Sequence, residues 1–367
     1  MASEAAPLTR AGATAAARAL ELSPPPRRIL VKEANWLGDV VMSLPALRAI
    51  RRAWPGAHLA ILIKQEIASL FDGADWLDEV IPYSVARGLS GVGDRCRIIG
   101  AIRARGFDLA VLFPASFESA LWVTAARVPR RAGFAGEARG PMLTLRASPP
   151  PEAITGHQVD WWLSMVRATL GVDGDAGEFA IEPHAPHLAK MRGWLDGRRR
   201  RPGGPLIAVA PAAAFGPAKE WPARNYARMI DLLAERRGAE CVLVGARGER
   251  AKCEEVAASA GAGAIVAAGE TTVGELVATL AIADAFVGND SGCMHIAGAL
   301  GRPTVAIFGS TSPLRTGPLG ARTRVIWRRL PCSPCLERTC RFGHYNCLGE
   351  ITPDDAAAAL GELGALG

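Results

Sequence analysis

Hydrophobic positions along this chain fall into short β-branched runs separated by longer stretches in which apolar residues recur every three or four places. The first repeat predicts a strand over Arg28 to Val31, a turn, and a helix from Val40 to Trp54 bent at Pro45. Further strands are predicted at His58 to Ile63, Asp78 to Ile81 and Leu109 to Phe113, each followed by helical or turn-rich sequence. Gln158 to Leu170 and His187 to Arg200 read as helices. Arg201-Pro202-Gly203-Gly204-Pro205 then breaks the pattern, which restarts after it. The second half supplies strands at Leu206 to Ala210, Cys241 to Val244, Ala264 to Ala267, Ala285 to Val287 and Thr304 to Phe308. Strand and helix in alternation build a parallel sheet, so the expectation is an α/β chain of two Rossmann-like βα domains facing across a cleft. The expected organisation is a loosely ordered extension over residues 1–26, domains over 27–180 and 181–355, and a helical tail over 356–367.

Composition supports two domains. A chain of 367 residues exceeds the size at which one hydrophobic core keeps growing. Its apolar content of 49% against 21% charged residues is that of a folded protein, since disordered chains lack the apolar surface to offset chain entropy. The net charge of +6 is distributed in short clusters, such as Arg130-Arg131 and Arg198 to Arg201. Such clusters are either solvated faces or points of attraction for phosphates and anionic membrane surface. No apolar run reaches eighteen residues and the alanine-rich start lacks a long apolar h-region, which predicts a cytoplasmic protein. No aromatic-rich basic stripe points to nucleic acid.

Ligands of open parallel sheets bind beyond the carboxyl ends of the strands, which directs attention to four loops. The first, Asn35-Trp36-Leu37-Gly38-Asp39, lacks the G-x-G-x-x-G that lets backbone touch a dinucleotide pyrophosphate. Asp39 is there either a helix N-cap or a general base. The second, Pro211 to Pro222, has small residues that admit a phosphate, with Lys219 as a point charge or a plain surface lysine. In the third, after Val244, Glu249 is either a ribose contact or a first-turn acid matched to the helix dipole. The fourth, Gly288-Asn289-Asp290-Ser291-Gly292-Cys293-Met294-His295, closes a strand and opens a helix whose free N–H groups suit a diphosphate. Asp290 or Ser291 as a cap, and His295 as a packing residue, are the alternatives.

Together these loops resemble the lipopolysaccharide heptosyltransferase family, glycosyltransferase family 9, most closely its heptosyltransferase II branch. The resemblance runs from Arg28 to about Asp355. It rests on N-W-L-G-D at 35 to 39, F-G-P-A-K-E-W-P at 215 to 222, G-N-D-S-G-C-M-H at 288 to 295 and G-R-P-T-V-A-I-F-G-S-T-S-P at 301 to 313. It implies the GT-B fold, with the acceptor held by the first domain and ADP-heptose by the second, and inverting transfer of L-glycero-D-manno-heptose to the first heptose of heptosyl-Kdo2-lipid A. Carried onto this chain, Asp39 is the general base, Lys219 a diphosphate contact, Glu249 a ribose contact, and Asp290, Ser291, Gly292 and His295 the donor cradle. Arg131 and Arg139, in a segment similar to one of the family's first-domain segments, meet acceptor phosphate or carboxylate groups or form structural ion pairs. The acceptor implies peripheral contact with the inner face of the inner membrane. No cofactor is required, because lysine and helix dipole can stabilise departing ADP. The donor motifs are shared with heptosyltransferase I and protein-directed heptosyltransferases, and the fold with GT-B sugar-nucleotide epimerases.

Four of the eight cysteines crowd into Cys332-x2-Cys335-x4-Cys340-x6-Cys347. The spacing suits zinc or iron on four thiolates, reduced thiols, or a local disulfide. Cys96, Cys241, Cys253 and Cys293 read as isolated core thiols.

Overall fold

The apolar runs emerge as strands closed off from water on both faces, which is why they read as unbroken β-branched stretches and not as alternating ones. A computed structural model describes residues 22–365 in two compact units that divide between Phe179 and Ala180. Residues 1–21 of the expected extension, and 366–367 of the expected tail, lie outside the described residues.

The first unit holds six strands: β1 (Arg28–Lys32), β2 (His58–Lys64), β3 (Glu79–Tyr83), β4 (Leu109–Leu112), β5 (Arg130–Phe134) and β6 (Leu145–Ala147). They form one parallel sheet in the order β3-β2-β1-β4-β5-β6, with Ile29 of β1 in register with Leu59 on one side and Leu109 on the other. Chain order reverses between β1 and β4, and the crevice at such a switch point is where this topology binds ligands.

The second unit repeats the plan with β7 (Leu206–Ala210), β8 (Glu240–Leu243), β9 (Ile265–Val266), β10 (Ala285–Asn289), β11 (Thr304–Phe308) and β12 (Thr323–Trp327). Its parallel order is β12-β11-β10-β7-β8-β9, so the switch point lies between β7 and β10. The core gathers Ile207 and Val209 of β7, Val287 of β10 and Ile307 of β11 with Trp221, Tyr226 and Leu360. Leu360 belongs to the helix Pro353–Glu362, which starts at a capping box between Thr352 and Asp355 and buries Ala356, Ala359 and Leu360. The C-terminal segment is thereby packed into the second unit's core.

Several boundaries differ from the sequence pattern for local reasons. β5, β6 and β12 carry arginines or glycine in runs of three to five residues and give almost no periodic signal. The first helix begins at Leu37, ahead of its apolar stripe, and continues through the buried Pro45 to Ala53. The helix expected over His187 to Arg200 runs from Ala185 to Asp196, and Gly197 follows its last residue. Among the described residues no helix is long and apolar enough to cross a membrane.

Candidate active site

At the switch point of the second sheet, Asn289 ends β10 fully buried and ties the neighbouring loop to it. Its Oδ1 accepts the Trp221 N–H at 3.0 Å and the Tyr226 hydroxyl at 2.9 Å, while Nδ2 donates to the Pro211 carbonyl at 2.9 Å. The loop after β7 is therefore fixed at both ends. Lys219 lies in this loop, two places before the buried Trp221.

Lys219 Nζ meets Asp290 Oδ2 at 2.6 Å, with both side chains largely shielded from water. The same carboxylate oxygen accepts the Thr311 hydroxyl at 2.7 Å and the Thr316 hydroxyl at 3.3 Å. The Lys219 ammonium also sits 5.0 Å from the centre of the Phe215 ring. Asp290 is thus an anchor that aims Lys219, since a carboxylate placed directly against a diphosphate would repel it. Ser291 is the N-cap of the helix Gly292–Ala299 and makes no side-chain cap bond. Gly292 opens that helix, leaving its first N–H groups available to an anion. His295 is buried in its first turn.

Glu249 folds back on its own loop, where Oε2 accepts the Ala246 N–H at 2.7 Å. Burial raises its carboxyl pKa, and the charge of Glu220 raises it further. Thr311 and Thr316 are site residues that the loop reading does not single out; Thr311 lies in the G-S-T-S-P run after β11, and nothing in the sequence marks Thr316.

At the switch point of the first sheet, Asp39 is the third residue of the helix Leu37–Ala53 and is partly exposed. The N-cap is Trp36, so Asp39 does not occupy the capping position that the sequence allowed it. Behind it stands a buried network that the sequence does not announce. Lys32 Nζ donates to the Glu33 carbonyl at 2.6 Å and to Asn35 Oδ1 at 3.2 Å, and Tyr83 donates its hydroxyl to the same Asn35 oxygen at 3.0 Å. Glu33 Oε2 accepts from the Ala34 N–H at 3.1 Å and the Ser43 hydroxyl at 3.0 Å, while Oε1 is buried with no hydrogen-bond partner among the described residues. Burial pushes the Lys32 ammonium down and the Glu33 carboxyl up, each to about 7.

The two first-domain arginines have structural partners. Arg139 is 1% exposed, and its guanidinium donates to the Phe134 carbonyl at 2.9 and 2.6 Å and to the Pro114 carbonyl. Arg131 donates to the carbonyls of Met142 and Val128. Both guanidinium groups are turned toward a cage of backbone oxygens. All eight cysteines are free thiols. Cys96 is exposed, against the expectation of a core thiol, whereas Cys241, Cys253 and Cys293 are buried.

The chain and its fold match known proteins. The family model for glycosyltransferase family 9 (heptosyltransferase) matches residues 95–346. Lipopolysaccharide heptosyltransferase 2 of Salmonella typhimurium is 30% identical over 349 residues, covering 92% of this chain and 98% of that protein. The solved structure of E. coli ADP-heptose lps heptosyltransferase II superposes with a TM-score of 0.78 at 27% identity, over 92% of this chain and 98% of the other. A family 9 glycosyl transferase from Veillonella parvula shares the fold, with a TM-score of 0.82 at 22% identity over 92% and 97% of the two chains. Two βα units with a lysine and a helix N-terminus at the second switch point, matched over most of the chain, place this protein in glycosyltransferase family 9, the heptosyltransferases.

Proposed function

We propose that the chain is an inverting glycosyltransferase that moves L-glycero-D-manno-heptose from ADP-heptose to the first heptose of heptosyl-Kdo2-lipid A. The observation that carries this reading is the anchored Lys219 beside the opening of the helix Gly292–Ala299, an anion site at a sheet switch point. Asp39 takes the proton of the acceptor hydroxyl as its oxygen bonds to the anomeric carbon. The bond from that carbon to the diphosphate breaks on the opposite face, and ADP leaves with the electron pair. Lys219 and the N–H groups that follow Ser291 offset the charge of the leaving group. Glu249, Ser291, Gly292 and His295 complete the donor side in this reading, with Asp290 holding the shape of the loop. The reaction draws on no cofactor.

The acceptor is a lipid, so the protein meets the inner face of the inner membrane peripherally, with its basic surface against anionic core phosphates. The test is ADP release from ADP-heptose by purified protein, with and without heptosyl-Kdo2-lipid A. Release that depends on this acceptor supports the reading. Release supported only by Kdo2-lipid A, the acceptor lacking the first heptose, overturns the acceptor assignment in favour of a heptosyltransferase I activity.

A further inference from the structure

The segment that follows β12 is clasped to two loops of the second switch point. Ser333 Oγ donates to the Gly309 carbonyl at 2.7 Å and the Leu336 N–H to the Ser310 carbonyl at 2.8 Å, both in the loop after β11 that carries Thr311. The Ala218 N–H donates to the Arg338 carbonyl at 3.0 Å, directly before Lys219 in the loop after β7. Gly216 packs against the same carbonyl, since a β-carbon there would lie 2.7 Å from it. Cys332, Cys335, Cys340 and Cys347 line one cavity within this segment, and among the described residues no three His, Cys, Asp or Glu are placed to hold a metal ion. What the segment brings to the switch point is a cation.

The Arg338 guanidinium lies 5.1 Å from the centre of the Phe215 ring, and Lys219 Nζ lies 5.0 Å from the same centre. The two positive charges are therefore no more than about 10 Å apart, within one Debye length at ordinary salt. Their surroundings differ. Lys219 is shielded from water and offset by Asp290 at 2.6 Å, whereas Arg338 is exposed and has no carboxylate partner among the described residues. Two like charges this close repel each other until an anion lies against both.

We propose that Arg338 is a second diphosphate-binding cation of the donor site and acts with Lys219 on the nucleoside diphosphate. The inference rests on the reading of the second switch point as the ADP-heptose site. A guanidinium meets two phosphate oxygens with parallel N–H donors, while an ammonium acts as a point charge, so the two side chains are complementary. Asp290 aims Lys219 but cancels part of its charge, and Arg338 supplies the uncompensated one. Contact with the Phe215 ring holds the guanidinium near the site before the nucleotide arrives, which lowers the entropy lost on binding.

The experiment is isothermal titration of full-length protein with ADP, and with adenosine by displacement. The expected result is a Kd for ADP raised about tenfold in Arg338→Ala and about two- to threefold in Arg338→Lys. The melting temperature is expected to stay unchanged, because the main chain at 338 keeps its bond to Ala218. Adenosine, which has no phosphate, is expected to bind wild type and variants alike. Arg341→Ala, whose guanidinium lies over the Phe342 ring instead, is expected to bind ADP as wild type does. Should the alanine variant prove unstable, Arg338→Gln, which keeps most of the side chain's length and loses its charge, takes its place. Equal losses for ADP and adenosine show that Arg338 only holds the loop, and overturn the proposal. Wild-type ADP affinity in Arg338→Ala beside weakened affinity in Lys219→Ala overturns Arg338 alone and leaves the donor site standing. Wild-type protein that binds no ADP overturns the reading of the switch point, and Arg338 with it.

Discussion

Asp290 holds Lys219 by an ion pair of 2.6 Å that joins the end of β10 to the loop after β7, the two strands that flank the second switch point. Replacing either partner has a different consequence. Lys219→Ala removes one charge-bearing donor from the proposed diphosphate site, with an expected loss of about 10²- to 10³-fold in kcat/KM for ADP-heptose. Asp290→Ala leaves a shielded ammonium without its carboxylate and is expected to destabilise the fold by roughly 3 kcal/mol. Steady-state kinetics and urea unfolding on both variants separate the two effects. A Lys219→Ala enzyme with normal kcat/KM removes Lys219 from the site.

Asp39 is assigned the acceptor's proton and not the nucleotide. Asp39→Ala is therefore expected to lower turnover by about 10²-fold or more, while ADP-heptose still binds with wild-type affinity. Isothermal titration with ADP-heptose and an ADP-release assay on the same preparation check both halves. Near-normal turnover ends the assignment.

Gly216 has φ of +139°, and a β-carbon there would lie 2.7 Å from the Arg338 carbonyl oxygen. Gly216→Ala thus combines backbone strain with a clash against main chain that has little freedom to move, costing about 1–3 kcal/mol. Because Lys219 follows in the same loop, the substitution is also expected to weaken ADP binding several-fold. Calorimetry against ADP shows whether the loop carrying Lys219 has moved.

Arg139 distinguishes a structural from a substrate-binding arginine. Its guanidinium satisfies the Phe134 and Pro114 carbonyls from a fully buried position. Arg139→Met leaves those oxygens without donors, and the expected outcome is a stability loss of about 2–4 kcal/mol with little change in acceptor KM for the protein that remains folded. An acceptor-binding role predicts the reverse, a raised KM at unchanged melting temperature.

The strands and helices are most legible in the sequence where burial is most complete. Leu206 to Ala210, Thr304 to Phe308 and Gln158 to Leu170 have the same bounds in sequence and structure, because both faces of a central strand, or one full stripe of a helix, must be apolar. β5 and β12 lie away from the sheet centres, where Arg130, Arg131 and Arg324 are compatible with a strand and the apolar signal fades. The site is legible as a set of loops after strands. Its interior is not: no pattern in the sequence says that Asp290 turns to Lys219 and Thr311, or that Lys32 and Glu33 are buried together. Those contacts join residues far apart in the chain, or depend on what covers a strand end.

The pair at the end of β1 yields a pH dependence of stability. Burial raises the Glu33 pKa from 4.5 to about 7, so the folded state holds a proton there that the unfolded state releases between those values. Its contribution to stability is present below pH 4.5 and is lost as the pH rises to about 7. Lys32 behaves in the opposite way. Its pKa falls from 10.5 to about 7, so its contribution is complete above pH 10.5 and is lost as the pH falls to about 7. Stability from this pair is accordingly lowest near neutrality. Glu33→Gln keeps an acceptor for the Ser43 hydroxyl and the Ala34 N–H but cannot ionise, which removes the acidic limb and, with the carboxylate charge gone, lets the Lys32 pKa fall further. Relative to wild type, the variant is expected to gain on the order of 3 kcal/mol between pH 4.5 and 7, with the gain read as a slope. Urea unfolding of both proteins at several pH values in that window measures it, and parallel curves show that Glu33 titrates no differently in the folded and unfolded chains.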